Sequence, residues 1–241
     1  MARGCKDTIK KYICMHSDFH CHTKYSDGID TVEEMIVAAI DIGLHTIAIT
    51  DHVRKDTKWF NEYVREIEKL KEKYSGRIKI LLGFETKILN IVGGLDANDD
   101  WFGLTDIVLG SIHSIPSGSG FFSKENSEDK ELLLSYWFKS LIGLIENRKV
   151  NVVAHPFSEL KEYGMSIDQD MENQFVRMVK NEDKVVEISL RHLVPDIELI
   201  EKLQYNNVQL YVGSDAHSAE ELHLYHKQKK QYLMSFVEEG S

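Results

Sequence analysis

The sequence predicts an α/β fold in one domain: seven parallel strands closed, or nearly closed, into a barrel and covered by helices. Three observations carry this expectation. Short apolar or β-branched runs alternate with helical patterns seven times. The runs are apolar almost throughout, as strands buried on both faces are. The chain has 241 residues, 42% of them hydrophobic, which suffices for a single barrel without a second core. It carries no low-complexity tract, no Pro/Gly-rich linker and no repeat that would divide it.

The expected strands lie at about 17–21, 45–50 (HTIAIT), 78–84 (IKILLGF), 105–110 (TDIVLG), 151–154 (NVVA), 184–190 (KVVEISL) and 208–213 (VQLYVG). Helical patterns fill the intervals. The first, Val32–Ile42, opens with Thr31 and two acidic residues, a helix-start signal. Others are expected at about 57–74, 129–147 and 168–181, at 196–205 just after Pro195, and from about 219 onward.

Composition narrows the function classes. No apolar run approaches the ~18–20 residues of a membrane span, and the first residues, MARGCKDTIKKYICMHS, have no signal-peptide core, so a soluble cytoplasmic protein is expected. Three cysteines, Cys5, Cys14 and Cys21, do not make a disulfide framework and fit a reducing compartment. A net charge of −10 with no Lys/Arg stripe argues against a general grip on nucleic acid. Three bound divalent cations would bring −10 to −4 and make one pocket positive, so an anionic small substrate stays compatible.

In barrels of parallel strands the functional face is the C-terminal end of the strands. Those ends read His20/His22, Asp51-His52, Glu85, His113, His155, Arg191-His192 and Asp215/His217. All but the sixth offer a good metal ligand. Six of the eleven histidines fall at these ends, leaving out His16, His45, His192, His223 and His226. Together with Asp27, Glu85 and Asp215 they form a set whose burial without cations would cost several kcal/mol in desolvation and like-charge repulsion. The pattern therefore predicts a metal site. In SDFHCHTKYSDG, period-two alternation puts His20 and His22 on one face and turns Cys21 into packing. Asp27 sits in the turn SDG, where Gly28 is expected to permit an unusual backbone that folds the carboxylate back to the pocket.

The segments HCHTKYSDG, AITDH, GFE, SIHS, AHP and GSDAH, in this order over residues 18 to 217, resemble the PHP (polymerase and histidinol phosphatase) family. The stretch from GFETKILN to GSIH looks most like the PHP modules of bacterial X-family DNA polymerases and their stand-alone phosphatase relatives. The resemblance implies a distorted (β/α)7 TIM-like barrel over 1–241, with its motif-bearing core at about 16–218, and two or three divalent ions. Its ligand pattern implies one ion on His20, His22, Glu85 and Asp215, a second on Glu85, His113 and His155, and a third on Asp27, His52 and His217. Family members vary at the place of Asp27, and zinc, manganese and iron all stay open.

The implied activity is hydrolysis of phosphate monoesters of small molecules by a metal-bridging hydroxide, with Glu85, Asp215, His217 and Arg191 as the catalytic group. Histidinol phosphate, nucleoside monophosphates and aryl phosphates fit equally. Arg191, at the sixth strand end, is expected to take a phosphate oxygen, with Arg54 as a second candidate and His192 a weaker one. Asp51 is placed for a hydrogen bond behind the ligands rather than for coordination. Residues 116–130, PSGSGFFSKENSEDK, read as a loop over the pocket, with Phe121 and Phe122 against substrate or barrel. Alternatives are a 3′-5′ exonuclease, a non-catalytic metal-binding scaffold, and an amidohydrolase, which lacks its usual strand-end lysine here. The last helix carries Leu222, Leu224, Tyr225, Tyr232, Leu233 and Phe236 to pack on the barrel or on a second subunit.

Overall fold

Every strand foreseen from the sequence is present, and all seven are parallel. A computed structural model describes residues 16–118, 120–123 and 129–238, with side chains as far as residue 228. Strands β1 (Ser17–Asp18), β2 (Thr46–Ile49), β3 (Lys79–Lys87) and β4 (Ile107–Ser111) come first. A small antiparallel hairpin, β5 (Pro116–Ser117) and β6 (Gly120–Phe121), stands where a plain loop is expected. Then come β7 (Val152–Val153), β8 (Val185–Ser189) and β9 (Gln209–Gly213). The large sheet runs β1-β2-β3-β4-β7-β8-β9. Its edges meet through the Cys21–Ala216 bridge, with His22 N donating to Ala216 O at 2.8 Å and Asp215 N to His20 O at 2.9 Å.

β1 is shorter than the expected 17–21 because a side chain replaces the ladder beyond it. Asp18 Oδ1 accepts from His20 N at 3.1 Å and from Ser214 N at 3.2 Å, pinning the two segments that carry His20 and Asp215. Cys21 is buried, and its thiol donates to Ala48 O at 3.1 Å, so it faces packing as expected. Cys5 and Cys14 lie outside the described residues.

The helices are α1 (Val32–Asp41), α2 (Phe60–Lys73), α3 (Lys130–Glu146), α4 (Ser158–Glu162), α5 (Gln169–Asn181), α6 (Ile197–Tyr205) and α7 (Ala219–Glu238). Of these only the short α4 is not foreseen. Asp129, Asp168 and Asp196 cap α3, α5 and α6 by accepting a backbone N–H of the first turn. At α1, Thr31 Oγ1 accepts from Glu34 N at 3.2 Å while Glu34 Oε2 accepts from Thr31 N at 2.8 Å, a capping box. Thr31→Ala is expected to cost about 1 kcal/mol and to lower Tm by about 2–4 °C, measured by thermal unfolding, with metal uptake unchanged.

Alternation along the strands sorts the core. Trp137, Leu141, Leu144, Phe175 and Leu203 pack α3, α5 and α6 on one flank. Met35, Ile36, Phe60, Tyr63 and Ile67 pack α1 and α2 on the other. Leu109, Val152, Ala154 and Tyr211, with Phe19, fill the interior. Leu222 of α7 is buried and Tyr225 packs against both flanks, while Leu224 is exposed. The side chains of Tyr232, Leu233 and Phe236 lie outside the described residues. Among the described residues no helix is long and apolar enough to cross a membrane.

Candidate metal centre

At the C-terminal mouth of the barrel the nine residues expected as ligands converge. Glu85, fully buried near the end of β3, divides its oxygens. Oε2 lies 3.2 Å from His20 Nε2, 3.5 Å from His22 Nε2 and 3.0 Å from His52 Nδ1. Oε1 lies 3.0 Å from His113 Nε2 and 3.1 Å from His155 Nε2. Asp215 Oδ1 is 3.2 Å from His22 Nε2 and 3.7 Å from His20 Nε2. Asp27 reaches in from its loop, 3.5 Å from His52 Nε2 and 3.4 Å from His217 Nε2. His22, Asp27, His52 and His217 together offer ligand atoms within 4.8 Å of one another, as do His20, His22 and Glu85, and His52, Glu85 and His113. His22 thus borders two of the expected ion positions. His16 and His45 stack on each other, centroids 4.8 Å apart, outside these groups.

The donor set fits divalent cations. His22 Nδ1 is buried with no hydrogen-bond partner. The Nε2 atoms of His20 and His22 stand 3.0 Å apart, so two ring nitrogens face one another across a space bounded by carboxylates. A buried, unsatisfied and convergent set of this kind is costly unless a cation fills it. Electrostatics point the same way. Burial drives His22 down to about 3, leaving it neutral, the form in which imidazole binds a metal. Burial pushes Glu85 and Asp215 up, yet the surrounding histidines outweigh it and hold both well below the usual carboxylate range. Asp27 is likewise lowered: its hydrogen bond with His217 and the charges of His52 and His22 overcome the upward push of burial.

Behind the expected ligands the structure adds to or departs from expectation in three places, and at Asp51 it agrees. The sixth strand is not silent. Glu187, in the middle of β8, is fully buried, with Oε1 2.9 Å from His20 Nδ1 and Oε2 accepting from His155 N at 2.7 Å. The missed signal is a carboxylate inside the otherwise uncharged run VVEISL. His192, a weak candidate in the sequence, places Nε2 3.2 Å from Asp215 Oδ2 and groups with His155 and Asp215. Asp51, as expected, hydrogen-bonds behind the site, and its partners are the 23–26 turn: it accepts from Thr23 N and Oγ1, both at 2.8 Å, and from Ser26 N and Oγ at 3.1 and 2.7 Å. It therefore shapes the loop that presents Asp27. Gly28 serves close approach rather than an unusual φ, because an added Cβ would lie 2.5 Å from His22 O.

Arg191 stands at the mouth, with Nη1 donating to Asp215 O at 2.7 Å and Glu221 Oε2 at 3.0 Å, and 2.9 Å from His217 Nδ1. Arg54 is exposed. Two of the expected ligands have positive φ, His155 at 27° and Asp215 at 54°, a strain that packed partners must hold. Beside His113, His155 and His192 opens a cavity of about 280 Å³, bounded further by Phe122, Ser158, Glu159, Glu162 and Tyr163. Phe122 sits edge-on to Tyr136, centroids 5.4 Å apart, so this Phe both lines the cavity and packs downward. Phe121 is 39% exposed, with Lys87 Nζ 5.0 Å from its ring centroid.

Residues 18–191 match the model of the PHP domain. The chain is 28% identical over 216 residues to the DNA polymerase/3′-5′ exonuclease PolX of Bacillus subtilis, spanning 85% of this chain but 35% of that protein. It is 28% identical over 207 residues to a "Probable phosphatase" of Caldicellulosiruptor bescii, covering 82% of this chain and 78% of the relative. Among solved structures, histidinol phosphate phosphatase of Lactococcus lactis, complexed with zinc, L-histidinol and phosphate, shares the fold at TM-score 0.63 and 19% identity, over 89% of this chain and 94% of that one.

Proposed function

Because the chain belongs to the PHP family, we propose that it is a metal-dependent phosphatase acting on monoesters of small alcohols. The observation that carries this reading is the division of Glu85, one oxygen toward His20 and His22 and the other toward His113 and His155, beside a cavity sized for a small molecule. His20, His22, Glu85 and Asp215 would hold one ion, Glu85, His113 and His155 a second, and Asp27, His52 and His217 a third. Ions so held lower the pKa of water and offset the charge of the phosphoryl group. Zinc, the metal complexed in the Lactococcus lactis structure, suits the imidazole-rich set.

The chain's own residues do the positioning. Glu85 and Asp215, held anionic, keep the donor set in register. Arg191 adds positive charge at the mouth, where its contacts with Asp215 O and Glu221 fix its place. The cavity receives the alcohol. Its rim sets Glu159 and Glu162 near the rings of Phe122 and Tyr163, which favours a flat or cationic leaving group such as histidinol over a polyanionic strand.

The likeness to the polymerase relative favours a second reading, removal of nucleotides from nucleic-acid ends. The acidic rim and the net charge of −10 weigh against it. The test is phosphate release by protein reconstituted with Mn²⁺, Zn²⁺ or Fe²⁺, on histidinol phosphate, nucleoside monophosphates, an aryl phosphate and a short single-stranded oligonucleotide, with His217→Ala as the blank. A solvent-accessible charge contact is worth up to about 1 kcal/mol, so kcat/KM for the amino-alcohol ester is expected about fivefold above a nucleotide's. Shortening of the oligonucleotide with every monoester untouched would replace the phosphatase reading.

A further inference from the structure

From its two contacts, we infer that Glu187 is a positioning residue which sets one ligand of each of two ion positions at once. This rests on the metal-centre reading above and is independent of the substrate. A carboxylate accepts hydrogen bonds and donates none, so Oε1 at 2.9 Å from His20 Nδ1 assigns the ring proton to Nδ1. That leaves the Nε2 lone pair directed at Glu85, His22 and Asp215, the tautomer a metal ligand at this nitrogen requires. The other oxygen accepts from His155 N at 2.7 Å. His155 holds a φ of 27°, and this anchor steadies a backbone that no ordinary side chain favours. Thus held, and with Nδ1 2.9 Å from Ser158 Oγ, the ring delivers Nε2 to within 3.1 Å of Glu85 Oε1.

A second feature marks the carboxylate's place as reserved. Gly213, on the neighbouring strand, lies so close that an added Cβ would stand 2.0 Å from Glu187 Oε1 and 3.1 Å from His20 Cβ. Any side chain there would expel the carboxylate or the imidazole. β8 therefore contributes to the centre from behind, through Glu187, where the other six strands contribute at their ends. His20 belongs to the position shared with His22 and Asp215, and His155 to the one shared with His113. Glu187 couples them from behind, through the far ring nitrogen of His20 and the backbone N–H of His155, as Glu85 does through their Nε2 atoms.

The test uses the full chain, stripped and titrated with Zn²⁺ against a chelator. Glu187→Gln keeps the shape but must turn an N–H toward either His20 Nδ1–H or His155 N–H. Affinity is expected to fall about 10- to 100-fold at the position whose partner meets the amide N–H, the usual range for partners behind metal ligands. Gly213→Ala, which leaves Glu187 in the chain but displaces it, is expected to lower affinity by a similar factor. Thr31→Ala, destabilised but remote, should bind Zn²⁺ as the wild type does. The wild type gives a reading that needs no variant: ¹⁵N shifts of zinc-loaded protein should show His20 protonated at Nδ1 and metallated at Nε2. Wild-type affinity in a folded Glu187→Gln, or His20 metallated through Nδ1, would overturn the inference. A wild type that takes up no Zn²⁺ would instead sink the metal-centre reading beneath it.

Discussion

Glu85→Gln is expected to lower kcat by about three orders of magnitude and to remove two ions together. Its two oxygens each lie within 3.2 Å of at least one imidazole nitrogen of a different ligand group. An amide cannot present an anionic oxygen to both, and whichever side receives its NH₂ faces a donor in place of an acceptor. Ions at such a centre supply several kcal/mol of transition-state charge stabilisation. At 1.36 kcal/mol per decade, losing them costs about 10³-fold or more. Asp27→Asn is the instructive contrast. Its side chain is 56% exposed and faces only His52, His217 and, at 3.9 Å, His22. It should empty one position and cost about fivefold, in keeping with a partly solvated charge contact worth up to about 1 kcal/mol. Steady-state kinetics with metal content by mass spectrometry checks both. Full metal content and turnover in Glu85→Gln would remove the carboxylate from the centre.

Much of this convergence is legible in the sequence because its groups obey one rule, a candidate metal ligand at or near the end of every parallel strand but the sixth. His20, His22, His52, Glu85, His113, His155, Asp215 and His217 all follow it, and the apolar runs before them place each strand within a few residues. What escapes has different physics. Glu187 lies inside its strand, and a rule about strand ends passes over it. Its signal is present as a lone carboxylate in VVEISL, a run that must be buried on both faces, where an acid without partners would not be tolerated. His192 stays weak in the sequence because its strand end offers no other ligand, yet the partner it meets, Asp215, comes from the neighbouring strand end. Arg191 stands at the mouth as its position implies, but Glu221 is thirty residues away on α7, and no local pattern announces that contact. Gly28 and Gly213 are both needed for close approach of atoms that turn chemistry and propensity do not encode.

Stripping the metal is expected to abolish activity and to reverse the sense in which pH acts on stability. Without ions, burial lowers His20, His52, His155 and His217, but their carboxylate neighbours, Glu187 and Glu85 at His20, Glu85 at His52 and His155, and Asp27 with Asp215 at His217, outweigh it and leave all four raised. A raised group binds its proton more tightly folded than unfolded, so its contribution is fully present below about pH 6.5 and is lost as pH climbs through the folded value. His22 and His113 are lowered, chiefly by burial, but above about pH 6.5 both are neutral in either state and drop out of the balance. The stripped protein should therefore lose stability steadily as pH rises from about 6.5. Cations compete for the same lone pairs, and their binding releases those protons, so affinity rises with pH over the window where the apo protein weakens. At a free concentration of about 100 Kd each filled position adds about 2.7 kcal/mol, or about 5–10 °C in Tm for a chain of this length. Thermal unfolding at a series of pH values, with and without Zn²⁺, should give curves that diverge above about pH 6.5. Parallel curves would mean that the histidines meet at the barrel mouth without exchanging protons for metal.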